Sequence, residues 1–93
     1  MWYTYILKCA DGSFYTGHTN NLSDRLSRHN ADRGPKWTAC RLPVQLVYQE
    51  CHKDEGSAIK REIQIKKWSR AKKQALIQGD TEKLKSLSKR YRT

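Results

Sequence analysis

Ninety-three residues with a formal charge of +10 make one small cationic domain, which can bury only about 60–65% of its unfolded surface in a single modest core. An apolar fraction of 37%, with three Trp and five Tyr, excludes the disordered class. The apolar runs are too short for a leader segment or a membrane span. The charge is uneven: residues 1–50 hold six Lys/Arg against four Asp/Glu, and residues 51–93 hold thirteen against five. Such an excess favours a polyanionic partner. Nucleic acid is preferred to an anionic membrane because no basic helix here carries a bulky aromatic face. Cys9, Cys40 and Cys51 are odd in number and fit no zinc spacing, so they read as reduced thiols of a cytoplasmic protein.

In chain order, Trp2 to Cys9 is rich in aromatic and β-branched residues and predicts a strand. Ala10-Asp11-Gly12 is a turn signal, and Ser13 to Thr19 is the returning strand. A three-residue loop closed by Gly12 in a left-handed bulge puts Tyr5 and Tyr15 on one face, with Tyr5 opposite Gly17 and Leu7 opposite Tyr15. The two phenols are then diagonal neighbours at roughly 7–8 Å, with open space expected beside Gly17. Asn21 caps a helix that ends near Asn30, with Asp24 in its first turn. Leu22 and Leu26 face the core, and Arg25 and His29 are i,i+4 neighbours beside them. A loop follows over 31–37, and Leu42 to Tyr48 predicts a third strand, with Pro43 at its start or edge.

Asp54 or Ser57 caps a helix running to about Lys67. On it Ala58, Ile59, Glu62, Ile63 and Ile65 fan across one apolar arc. Trp68, Ala71, Ala75 and Leu76 form a second stripe stopped by Gly79. Thr81 to Arg92 is a last amphipathic helix, with Leu84, Leu87 and Tyr91 inward. The architecture predicted is α+β, a small three-stranded antiparallel sheet flanked by helices. Residues 1–78 form the main unit, and 79–93 a C-terminal helix packed on it.

Glu62 is the anomaly, a carboxylate within an apolar arc. Once buried it must be paired, protonated or metal-bound, and Lys66, one turn on, is its obvious partner. Strand tyrosines ordinarily pack, and Arg25 with His29 could form a solvated helix edge. Taken together, these groups suggest phosphoryl chemistry on a nucleic acid, which needs an activated water and counter-charge on the transition state. Nearby cations would favour a phenolate. Arg25 could fork onto a phosphate oxygen, and Glu62 could hold one Mg²⁺ that keeps most of its water. The reading requires both phenols, Arg25, His29 and Glu62 to open into one cationic hollow.

Tyr3-Thr4-Tyr5, Tyr15-Thr16-Gly17, Arg25, His29 and Glu62 resemble the GIY-YIG nuclease superfamily in order and spacing, from Trp2 to about Ile77. The stretches ADGSFYTGHTNNLSDRLSRHN and AIKREIQIKKWSRAKKQALI look like its small stand-alone bacterial proteins, related to the nuclease domain of structure-selective repair endonucleases. The resemblance implies a metal-dependent DNA endonuclease acting on branched, flapped or single-stranded DNA. It makes Tyr5 the general base, aided by His29. Tyr15 would orient water or phosphate, Arg25 would stabilise the phosphorane, and Glu62 would ligate one Mg²⁺ or Mn²⁺. Three departures stand out. The first tripeptide matches only at Tyr5, the second has Thr16 at its middle, and many members place an Asn after the Glu whereas this chain has none beyond Asn30.

Lys36, Trp37 and Arg41 lie between the first helix and the third strand, where Trp37 could stack on a base or pack on the sheet edge. Lys66, Lys67, Arg70, Lys72 and Lys73 form the densest cationic run, suited to phosphates rather than base edges. The rival readings are a catalytically weak or inactive nucleic-acid-binding module of a repair assembly, and a basic RNA-associated protein.

Overall fold

A single turn sets the register on which the site depends. In the computed structural model, which describes residues 1–30 and 42–89, Gly12 sits at φ +85°. The Gly12 N–H donates to the Cys9 carbonyl at 2.9 Å, and the Cys9 N–H donates to the Ser13 carbonyl at 2.8 Å. Only a glycine holds that left-handed conformation without steric cost. The loop is therefore three residues long, and β1 (Trp2–Lys8) meets β2 (Phe14–Thr19) with Tyr5 opposite Gly17 and Leu7 opposite Tyr15, the register expected.

The chain continues through α1 (Leu22–Asn30), β3 (Gln45–His52), α2 (Glu55–Lys66), α3 (Arg70–Gln78) and α4 (Thr81–Lys89). The sheet is antiparallel in the order β2-β1-β3, and the fold is α+β. Asn21 caps α1, its side-chain oxygen accepting from the Asp24 N–H at 3.0 Å. Asp54 rather than Ser57 caps α2, accepting from the Ser57 N–H at 2.7 Å. Gly79, at φ +71°, closes α3, and α4 packs chiefly against α3.

Three expectations need correction. The third strand begins at Gln45, not Leu42. Pro43 has no N–H to give a ladder, and the backbone of Val44 is taken by Asn30, whose side chain accepts from its N–H at 2.9 Å and donates to its carbonyl at 3.3 Å. Ile63 is 49% exposed, because it lies about 150° round α2 from the buried line of Ala58 and Ile65. Ala71 is exposed as well, leaving Ala75 as the buried residue of α3.

Strand alternation then sorts the site residues. Thr4 and Ile6, with Thr16, His18, Tyr48 and Glu50 opposite them, look toward α2, where the Thr4 hydroxyl donates to the Ala58 carbonyl at 2.9 Å. Tyr5 and Leu7 look the other way and form a core cluster with Cys9 and Val44, against which Tyr15, Leu22 and Leu26 pack. Each fully buried Leu or Ile contributes roughly 1.5–3 kcal/mol by leaving water.

Candidate active site

On the α1 face the structure brings four of the predicted residues together. The Arg25 Nε–H donates to the Tyr5 hydroxyl at 3.4 Å, and the Tyr5 hydroxyl lies 3.3 Å from His29 Nε2. The Tyr15 ring meets His29 edge-on at 5.2 Å between centroids and Tyr5 at 6.4 Å. Tyr5 is 1% exposed and His29 0%. The open space expected beside Gly17 is instead filled by Tyr5. A Cβ on Gly17 would stand 2.6 Å from the Tyr5 hydroxyl and 3.1 Å from the Tyr15 ring, so glycine is what admits the phenol.

Burial decides the proton affinities here. It raises the Tyr5 pKa, opposed but not overcome by the Arg25 hydrogen bond. The phenolate expected from nearby cations is therefore disfavoured in this arrangement. Burial, followed by repulsion from Arg25, lowers the His29 pKa, so its imidazole is held neutral. A neutral His29 with its proton on Nδ1 can accept the Tyr5 proton at Nε2. With that tautomer the chain runs in one direction, from guanidinium to phenol to imidazole.

Glu62 does not join this group. Its Oε1 lies 2.7 Å from His18 Nδ1, and its Oε2 accepts from Lys66 Nζ at 2.8 Å. His18 pairs with Thr4 in the sheet, so Glu62 and Tyr5 occupy opposite faces. The expected single hollow is split because α2 packs across β2 and β1, with Ala58 and Ile65 buried beneath it. Glu62 leans toward β2 and Arg61 toward β3, where Arg61 Nε donates to Glu50 at 3.1 Å. The side chain of Glu62 is 15% exposed. Burial raises its pKa, but the bonds from Lys66 and His18 outweigh that and hold it below the usual carboxylate range.

The two groups meet along the outer edge of β2. A cleft of about 310 Å³ there is lined by Phe14, Tyr15, Thr16, Lys66 and Lys73. Tyr15 belongs to the phenol cluster, and Lys66 is the partner of Glu62. The negative charge of Glu62 also adds to the forces raising the Tyr5 pKa.

His18 was missed in the sequence, although the hairpin register already pairs it with Thr4 and so points it away from Tyr5. The cationic run divides. Arg70 lies over the Phe14 ring at 4.4 Å, near Lys66 and Lys73, while Lys72 lies over Trp68 at 4.1 Å. Lys67 joins Lys72 in a hollow of about 220 Å³ beside Trp68. Lys36, Trp37 and Arg41 lie outside the described residues.

Comparison with known proteins agrees with this fold. A family model described as the GIY-YIG catalytic domain matches residues 1–75. A UPF0213 protein of Staphylococcus saprophyticus is 51% identical over 75 residues, covering 81% of this chain and 92% of that protein. One from Bacillus pumilus is 47% identical over 76 residues, covering 82% and 78%. The solution NMR structure of a UPF0213 protein from Bacillus halodurans has a TM-score of 0.54 at 38% identity, covering 84% of each chain. A protein from E. faecalis gives 0.57 at 36%, covering 85% of this chain and 84% of that one. The chain is a member of the GIY-YIG catalytic domain family, a nuclease superfamily. Its similar relatives carry the name UPF0213 protein.

Proposed function

We propose that this protein is a metal-dependent endonuclease that hydrolyses phosphodiester bonds in branched, flapped or single-stranded DNA. The observation that carries the reading is the Tyr5 hydroxyl held between Arg25 Nε and His29 Nε2, with the Glu62 carboxylate held by His18 on the other face of the sheet. Tyr5 takes a proton from the attacking water as its own passes to His29. Arg25 stays charged and offers its remaining N–H groups to a non-bridging phosphate oxygen, while the Tyr15 ring borders the cleft and positions the phosphate.

Glu62 would hold the metal. Its oxygens carry about four lone-pair sites, and His18 and Lys66 engage two of them. Among the described residues no three His, Cys, Asp or Glu converge as a ligand set. This donor chemistry fits one hard cation that keeps most of its water, such as Mg²⁺ or Mn²⁺. Such an ion supplies Lewis-acid stabilisation of charge developing on the phosphate. His18 and Lys66 orient the carboxylate and set its charge. The exposed Cys51 thiol fits a reducing cytoplasm, and no helix among the described residues is long and apolar enough to cross a membrane.

A second reading, a weakly active or inactive nucleic-acid-binding module, draws on two specific facts. Tyr5 is buried with a raised pKa, and both Glu62 oxygens are engaged. One experiment separates the two: wild type, Tyr5→Phe and Glu62→Ala are incubated with single-stranded, flapped and duplex DNA, with Mg²⁺ or Mn²⁺ and with chelator. The expected result is metal-dependent nicking lost in both variants while DNA affinity changes little. Cleavage that survives both substitutions sinks the mechanism, and binding without cutting in wild type selects the module.

A further inference from the structure

We propose that the cleft along the outer edge of β2 is a dedicated binding pocket for a phosphate group of the polynucleotide, with Lys73 as its principal ligand. Its walls combine features that a merely solvated lysine face lacks. Lys66, Arg70 and Lys73 come together from two helices onto three consecutive residues of one strand. Among the described residues Lys73 has no carboxylate partner, and Lys66 spends its charge on Glu62. Burial chiefly, and then Arg70 and Lys66, lower the proton affinity of Lys73, so this ammonium stands partly desolvated beside two other cations. A phosphate supplies the missing counter-charge.

Thr16 closes the floor: it is 3% exposed and its hydroxyl is buried, so the cations of the walls, not the floor, meet the anion. Arg70 stacks on the Phe14 ring at 4.4 Å from its centroid, which places a third cation beside one wall of the pocket. Because Tyr15 forms the remaining wall, a strand anchored here continues past the phenol cluster. The assignment rests on the nucleic-acid reading above and adds where the strand is gripped.

The test measures binding without cleavage. Fluorescence anisotropy with a short single-stranded oligonucleotide, carrying either a 5′-phosphate or a 5′-hydroxyl, is run in Ca²⁺ over a salt series. Proteins compared are wild type, Lys73→Gln, Lys73→Arg and, as an exposed control on α4, Lys85→Gln. The expected result is roughly a five- to tenfold weaker Kd for Lys73→Gln, with the slope of log affinity against log salt reduced by about one. Lys73→Arg restores binding, and Lys85→Gln changes it less than about twofold. A loss confined to the 5′-phosphorylated strand identifies a terminal phosphate, whereas an equal loss for both identifies a backbone phosphate. Either supports the pocket. Equal effects of Lys73→Gln and Lys85→Gln overturn it in favour of diffuse electrostatics. A wild type that binds with this Lys73 dependence but never cuts DNA keeps the pocket and rejects the nuclease reading.

Discussion

The two faces of the sheet solve the problem of holding polar groups in different ways. On the α1 face, Tyr5, Tyr15 and His29 are rings packed on one another at the main core, and one guanidinium reaches in from the rim. On the α2 face, Glu62 is a carboxylate held by polar partners, with His18 and Lys66 on separate oxygens, and Glu50 is held likewise by Arg61. Burial fixes geometry on the first face and suppresses charge there. Pairing preserves charge on the second. A phosphoryl-transfer site needs both a positioned proton path and a retained carboxylate, and edge strand β2 is thin enough to join them.

If the faces act as one unit, Tyr5→Phe and Glu62→Gln should each lower cleavage by roughly 10²–10⁴-fold, and the double variant should be little worse than the poorer single. Single-turnover rates would check this. Effects that multiply in full would mean the faces work independently, and the comparison would fail.

Gly17→Ala comes next. The new Cβ would fall within 2.6 Å of the Tyr5 hydroxyl and 2.7 Å of Cζ, and a ring sealed under α1 cannot retreat cheaply. A loss of about 1–3 kcal/mol in urea unfolding is expected. Wild-type stability would show that the α1 face is looser than its burial implies.

How much of this was legible beforehand follows the range of each interaction. The hairpin register could be read from Asp11-Gly12 and alternation alone, because a turn is local chemistry. The cap Asn21 was readable for the same reason, and the second cap was narrowed to Asp54 or Ser57, between which the structure decides for Asp54. The start of β3 was not, since it is set by Asn30 capturing Val44 from fourteen positions away. The face taken by Glu62 was also hidden. Its helical arc was visible, but which strand α2 lies along is tertiary, and a rotation of about 50° from the helix's buried line carries Glu62 from the centre to the His18 side. Proton affinities misled for a related reason: cations near Tyr5 were predictable, while the closure of α1 over it was not.

A smaller effect tests the cap on the ionic helix. Asp54 is fully exposed, and its pKa is lowered by the Ser57 hydrogen bonds. Asp54→Ala should lower the urea midpoint at neutral pH by leaving the first turn of α2 without its acceptor. No loss would mean that packing on the sheet alone sets the start of α2.

The smallest effect separates the two faces by pH. Glu62 has a depressed folded pKa, so its contribution is fully present above the ordinary carboxylate value and is lost as pH falls through the folded one. Glu62→Gln should therefore be less stable than wild type at neutral pH, by no more than about 1 kcal/mol given the solvent-screened Lys66, with the gap closing below about pH 4.5. His29 also has a depressed folded pKa, but as a base it acts by resisting protonation. Stability should decline as pH falls below about 6.5, and His29→Gln should flatten that decline without touching the acid window of Glu62. Urea midpoints of the two variants across both windows would resolve them. A single transition shared by both residues would mean that the faces titrate together, and the division between a neutral half and an ionic half would have to be given up.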